Sequence, residues 1–174
     1  MRHLRAMKDR TAVPIRVEPF TFEAFAALPH RLPVAGYAVI ERRAAVVTGY
    51  IQHALRASDG DMHLEIIPEP DTTGAGTLYL TGEITPAMLR GSRNWAFGAL
   101  VATLRPDFGT LGPWVGGPRR ARIRGWLLYD FQHDDSLGHW TSDAVPRMTG
   151  WEIHPVTGIE LWSDSLARFV EYPR

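Results

Sequence analysis

Two acid–imidazole pairs share one spacing in this chain. Asp61 and His63 are two residues apart, and so are Glu152 and His154. On an extended strand, residues two apart project from the same face. Each pair therefore presents a hard carboxylate oxygen beside an imidazole nitrogen, a donor set that suits a divalent ion such as zinc or manganese. Glu83 closes a third strand-like segment and is the natural companion of the first pair. Asp130 and His133 leave the end of a fourth segment together. These residues assign Asp61, His63, Glu83 and His154 as metal ligands. Glu152 or His133 is then the acid or base that works on a water. Arg122 and Arg124, alternating with Arg120 on one strand, are expected either to grip phosphate or to pair with acids on neighbouring strands, and Asp130 completes the substrate side. Read singly, each feature also has a plainer meaning. The Asp residues around Gly60 cap a turn, Glu83 stands at a helix N-terminus, and His133 orders a loop.

Charge is segregated along the chain although it sums to zero. Residues 57–89 carry six acids and no Lys or Arg, whereas residues 90–124 carry seven arginines against Asp107. An acidic stretch for a metal and a basic one for phosphate would suit a phosphodiester-handling site. Of the nineteen basic residues one is lysine, Lys8. No cysteine is present, which excludes thiol nucleophiles, thiolate zinc sites and disulfides. The sequence has no Gly-rich phosphate loop, no His-Glu-x-x-His, no Gly-x-Ser-x-Gly and no dinucleotide fingerprint, so no nucleotide cofactor is expected. No apolar run is long enough to span a membrane. No apolar stretch follows the basic start, so no intact secretory leader is expected within this sequence, and the cytoplasm is the expected compartment.

The elements that must position these residues are mostly strands. Residues 44–55 alternate over a long β-branched stretch, and the 58–61 turn leads into a strand over 61–67 with Met62, Leu64 and Ile66 on one face. A third strand covers 77–84. Thr85-Pro86 then opens a helix predicted over 86–105. A fourth strand covers 120–130 with a bulge at Gly125, and a fifth covers 149–154, stopped by Pro155. A short strand over 158–162 and a helical turn from Ser163 end the chain. Residues 1–43 read as an arm that is irregular to residue 19, with a short helix capped by Thr21. Residues 44–162 form the barrel domain, and 163–174 a tail. The expectation is a mainly β, α+β domain with one main helix: a five-stranded OB-like barrel in the order β-β-β-α-β-β, an architecture that binds oligonucleotides or oligosaccharides. Trp114 and Trp140 have the settings of stacking platforms.

The segments Asp-Gly-Asp-Met-His-Leu-Glu-Ile (59–66), Thr-Gly-Glu-Ile-Thr-Pro (81–86), Arg-Gly-Trp-Leu-Leu-Tyr-Asp-Phe-Gln-His (124–133) and Trp-Glu-Ile-His-Pro-Val-Thr (151–157) resemble a group of uncharacterised bacterial proteins with a β-rich, OB-like core. The resemblance covers about residues 44–162. It implies the same fold and carries no activity with it. The strand order also looks like that of the thermonuclease family of metal-dependent phosphodiesterases. That family's arginine is missing here, because 57–89 hold none. The functional expectation is a metal-dependent phosphodiester hydrolase acting on nucleic acid. The alternative is a non-enzymatic OB module binding single-stranded nucleic acid or a protein. Metal affinity is expected to weaken as pH falls through about 6.5, the ordinary histidine value.

Overall fold

The computed structural model describes residues 2–57, 59–70, 78–91, 118–131 and 147–172. Five strands close into a mixed barrel: β2 (Ala44–Arg56), β3 (Met62–Ile67), β4 (Tyr79–Ile84), β5 (Arg119–Tyr129) and β6 (Arg147–Ser163). β2, β3 and β4 form an antiparallel meander. β4 pairs in parallel with β6, β6 pairs antiparallel with β5, and β5 returns antiparallel to β2. The helix α4 (Pro86–Gly91) follows β4, and Thr85 caps it by accepting from the Met88 amide at 3.0 Å. This order is compatible with an OB-like barrel. The expected continuation of the helix to residue 105 lies outside the described residues.

The inner face is apolar and alternates as the sequence requires. Met62, Leu64 and Ile66, Leu80 and Ile84, Ile123 and Leu127, and Trp151 and Ile153 all join one buried cluster. The turn into β3 is held by Gly60 at φ +92°, a conformation that favours glycine, and by the Asp61 amide donating to Asp59 Oδ1 at 3.2 Å.

The arm is more ordered than its sequence suggests. Residues 2–8 form a helix, α1 (Arg2–Lys8), and β1 (Glu18–Pro19) adds in parallel to β2. The helix α2 (Phe22–Ala26) has the expected cap, with Thr21 Oγ1 accepting from the Ala24 amide. A further helix, α3 (Val34–Ile40), begins directly after Pro33. Phe22, Phe25 and Leu28 enter the barrel core, and Tyr37 stacks on Tyr129 with ring centroids 4.2 Å apart. Arg10 donates to the carbonyls of Leu127 and His154, at 2.9 and 3.0 Å, and ties the arm across β5 and β6.

Two corrections concern the C-terminal third. Pro155 does not end a strand, since β6 runs through it as one 17-residue element. The β5–β6 register shifts between Gly125 and Leu127, and Pro155 falls in that irregularity, where its missing N–H breaks no regular ladder position. A Cβ at Gly125 would stand 2.3 Å from the Pro155 carbonyl oxygen, so the bulge expected there requires glycine. The residues after Ser163 do not form a terminal helical turn. They reverse and return as β7 (Arg168–Tyr172), paired antiparallel with the end of β6. No helix among the described residues is long and apolar enough to cross a membrane.

Candidate metal centre on the outer barrel face

The outer face of β3, β4 and β6 carries polar residues, yet it is buried. Glu65, Thr81, Glu83, Glu152 and His154 are all buried. Strand parity pointed these side chains away from the core, and the structure keeps that direction. What the sequence did not reveal is that α1 packs against β6, with Leu4 and Lys8 directed inward.

Register brings the two acid–imidazole pairs together. His63 stands directly opposite Glu83, and Thr81 pairs with both Glu65 and Glu152. Gly82 pairs with Ile153, so Glu83 and His154 stand side by side on the parallel strands. Asp61, at the mouth of β3, completes the group. Among the described residues, Asp61, Glu83 and His154 each offer a ligand atom within 4.8 Å of the others. His154 Nδ1 lies 2.8 Å from Glu83 Oε2 and 3.3 Å from Glu152 Oε2. Its Nε2 faces Asp61 Oδ2 across 3.9 Å and makes no hydrogen bond. Metal–nitrogen and metal–oxygen bonds of about 2.0–2.2 Å would span such a gap.

His63, assigned by spacing as a ligand, stands one carboxylate further out. Its Nδ1 is 3.4 Å from Glu83 Oε1, and Tyr79 meets its ring edge-on at 5.9 Å. It contacts Glu83 from outside the group of three. Glu152 is fully buried and forms an ion pair with Arg147, in addition to its contact with His154. Glu152 thus lies between Arg147 and His154, with both of its carboxylate oxygens engaged. Asp130 is reached by Lys8 Nζ at 3.2 Å. Beside the centre, His53 Nδ1 and Gln52 Nε2 both contact Glu65 Oε2, at 2.9 and 3.1 Å.

The arginines take the second of their two expected roles. Arg122 pairs with Glu160 on β6 at 3.2 Å, and Arg124 pairs with Glu171 on β7. Opposite β5, these positions register with Glu160 and Gly158 of β6, four to six residues beyond His154. At about 3.3 Å per residue, that places them roughly 13–20 Å along the strand from the centre. Arg120 lies over the Trp162 ring at 4.5 Å. His133, Trp114 and Trp140 lie outside the described residues.

The electrostatics follow from burial. Burial disfavours a charge on His154, but the carboxylates of Glu152 and Glu83 outweigh it and push its pKa up to about 9. Burial likewise opposes the Glu83 carboxylate, and bonds from His154 and His63 overcome it, holding the group well below the usual carboxylate range. Asp61 is pushed up to about 7, by burial first and then by Glu83 and Asp59. Lys8 and Arg147 are both held firmly protonated: burial works against their charge, and the surrounding carboxylates, Glu83 and Glu152 among them, exceed it. The expected pH window for metal binding moves accordingly. The proton competing for His154 is lost near 9, not near 6.5.

Sequence reasoning missed Lys8 and Arg147. Lys8 had a signal, as the only lysine in the chain. Arg147 had none. Asp61 also lines a cleft of about 860 Å³ between α1 and α4, where Arg2, Arg5, Lys8 and Arg90 contribute cations. No family model, curated protein or solved structure matches the chain.

Proposed function

We propose that this chain binds one divalent metal ion through Asp61, Glu83 and His154 and uses it to hydrolyse a phosphodiester, with nucleic acid as the substrate class. The observation that carries the reading is the fully buried His154, whose Nε2 lacks a hydrogen bond and faces a carboxylate across 3.9 Å. A buried imidazole nitrogen left without a partner costs free energy unless something fills the gap. Two carboxylates and an imidazole favour zinc or manganese. An ion there would lower the pKa of a bound water and offset charge developing on a phosphoryl oxygen. His63 and Glu152 would hold Glu83 and His154 in place, as outer partners of metal ligands commonly do. The barrel order also agrees with folds that handle oligonucleotides, an analogy of architecture alone.

A second reading has its own support. Lys8, Arg147 and protonated His154 set three positive charges against Asp61, Glu83, Asp130 and Glu152, so the cluster is nearly balanced as a buried ion network in a non-enzymatic binding module. Calorimetry with manganese and with zinc on chelator-treated protein separates the two. The metal reading expects one equivalent bound, abolished by Glu83→Gln and by His154→Gln, and metal-dependent cleavage of bis(p-nitrophenyl) phosphate and single-stranded DNA. Failure of both ions to bind removes the metal and the hydrolase together and leaves the ion network.

A further inference from the structure

We propose that the α1–α4 cleft is the phosphate seat of this site, with Lys8 as its central cation and the Arg5 and Arg90 side chains at its rim. The inference rests on the metal reading above and names the residues that meet the substrate's anionic group. It moves that role from Arg122 and Arg124, which are paired elsewhere, to the N-terminal helix.

Three observations converge. The cleft, about 860 Å³, lies within the range of small-molecule sites, and Asp61 is shared between it and the metal group. Its acids are already engaged: Asp59 accepts from the Asp61 amide, Asp9 lies 3.9 Å from Arg5, and Asp61 faces His154. Its cations are paired in part, Arg5 with Asp9 and Lys8 with Asp130 at 3.2 Å, but they keep solvent-facing donors. The Arg5 side chain is 88% exposed, Arg90 is exposed, and Lys8 reaches inward with its side chain 27% exposed. The chain's single lysine thus sits where the cleft meets the carboxylate cluster. A compact ammonium on a flexible stem suits one phosphate oxygen, whereas the exposed arginines suit a second contact at the mouth.

Charge balance links the two halves. Glu83, Asp130 and Glu152 provide the field that holds Lys8 protonated. A divalent ion on Asp61, Glu83 and His154 would take the place of the His154 proton and so add net positive charge beside Lys8. A phosphate anion in the cleft would then face both cations. Metal and phosphate therefore bind cooperatively, and each raises the other's affinity by the same factor.

The test is calorimetry on the full chain with inorganic phosphate, thymidine 5′-monophosphate and a thymidine decanucleotide, each with and without manganese, with manganese alone titrated in parallel. Lys8→Met should weaken all three phosphate probes roughly tenfold or more, and should strengthen manganese binding roughly threefold or more because a neighbouring cation is gone. Lys8→Arg should restore much of the phosphate affinity. These opposite signs distinguish the seat from a structural ion pair, whose loss would weaken both. The double variant Arg5→Gln/Arg90→Gln alters exposed side chains only and should weaken phosphate several-fold with manganese affinity unchanged, which keeps the test decisive if Lys8→Met fails to fold. Phosphate binding that is indifferent to Lys8 and to the arginine pair overturns the seat while manganese binding still stands. Lys8-dependent phosphate binding without any manganese binding keeps the seat and removes the metal reading. A decanucleotide bound no more tightly than inorganic phosphate places the recognition in the phosphate group alone.

Discussion

Raising the pH should weaken the metal-free fold and strengthen metal binding, both through one proton on His154. The imidazole titrates near 9 in the fold and near 6.5 in the unfolded chain. A histidine with a raised pKa contributes stability in full below the unfolded value and loses it as pH rises through the folded value. The difference corresponds to roughly 3 kcal/mol, lost between about pH 6.5 and 9. Asp61, raised to about 7, acts in the same direction at lower pH, because its carboxyl resists ionisation in the fold. Metal reverses the trend. At pH 7 the His154 proton should reduce metal affinity roughly fiftyfold relative to pH 9, since pH 7 lies about two units below the pKa while at pH 9 half of the imidazole is already free of its proton. Urea titrations between pH 6.5 and 9, in chelator and in excess manganese, read both effects. The chelator series should fall by about 3 kcal/mol, and the manganese series should stay flatter. His154→Gln should remove most of the fall and all of the difference between the series. A chelated protein equally stable at both ends of the range, or a His154→Gln protein that keeps the slope, would refute the placement of that proton.

Two further outcomes test the scaffold. Trp151 is fully buried within the core, and its indole N–H donates to the Pro29 carbonyl at 3.1 Å; Trp151→Ala should cost about 3–5 kcal/mol in denaturant titrations, and a loss below about 1 kcal/mol would mean that β6 does not anchor the barrel. Arg122→Gln removes a half-exposed pair with Glu160, so it should change stability by less than about 1 kcal/mol and leave metal and phosphate affinities as they were; a several-fold loss of phosphate binding would return the substrate role to β5.

The sequence by itself determined the barrel. Period-two alternation in residues 44–55, 61–67 and 120–124, the Asp-Gly turn, the Thr85-Pro86 helix start and the Gly125 bulge are local properties, and each appears in the structure. Parity also determined which faces Asp61, His63, Glu83, Glu152 and His154 occupy, because side-chain direction on a strand follows from position alone. Local pattern was misleading at Pro155 and after Ser163. Whether a proline breaks a strand depends on its partner's register, and whether a tail coils or pairs depends on a free edge nearby. Only the tertiary structure decided the chemistry of the site. Register placed Glu83 between two histidines, and α1 came from far away in sequence to bury that face and deliver Lys8. Burial changed the setting of the side chains, pairing Glu152 with Arg147 and moving the His154 proton to about pH 9. Those are long-range effects of desolvation and neighbouring charge, and they arise only when distant segments exclude water from the same surface.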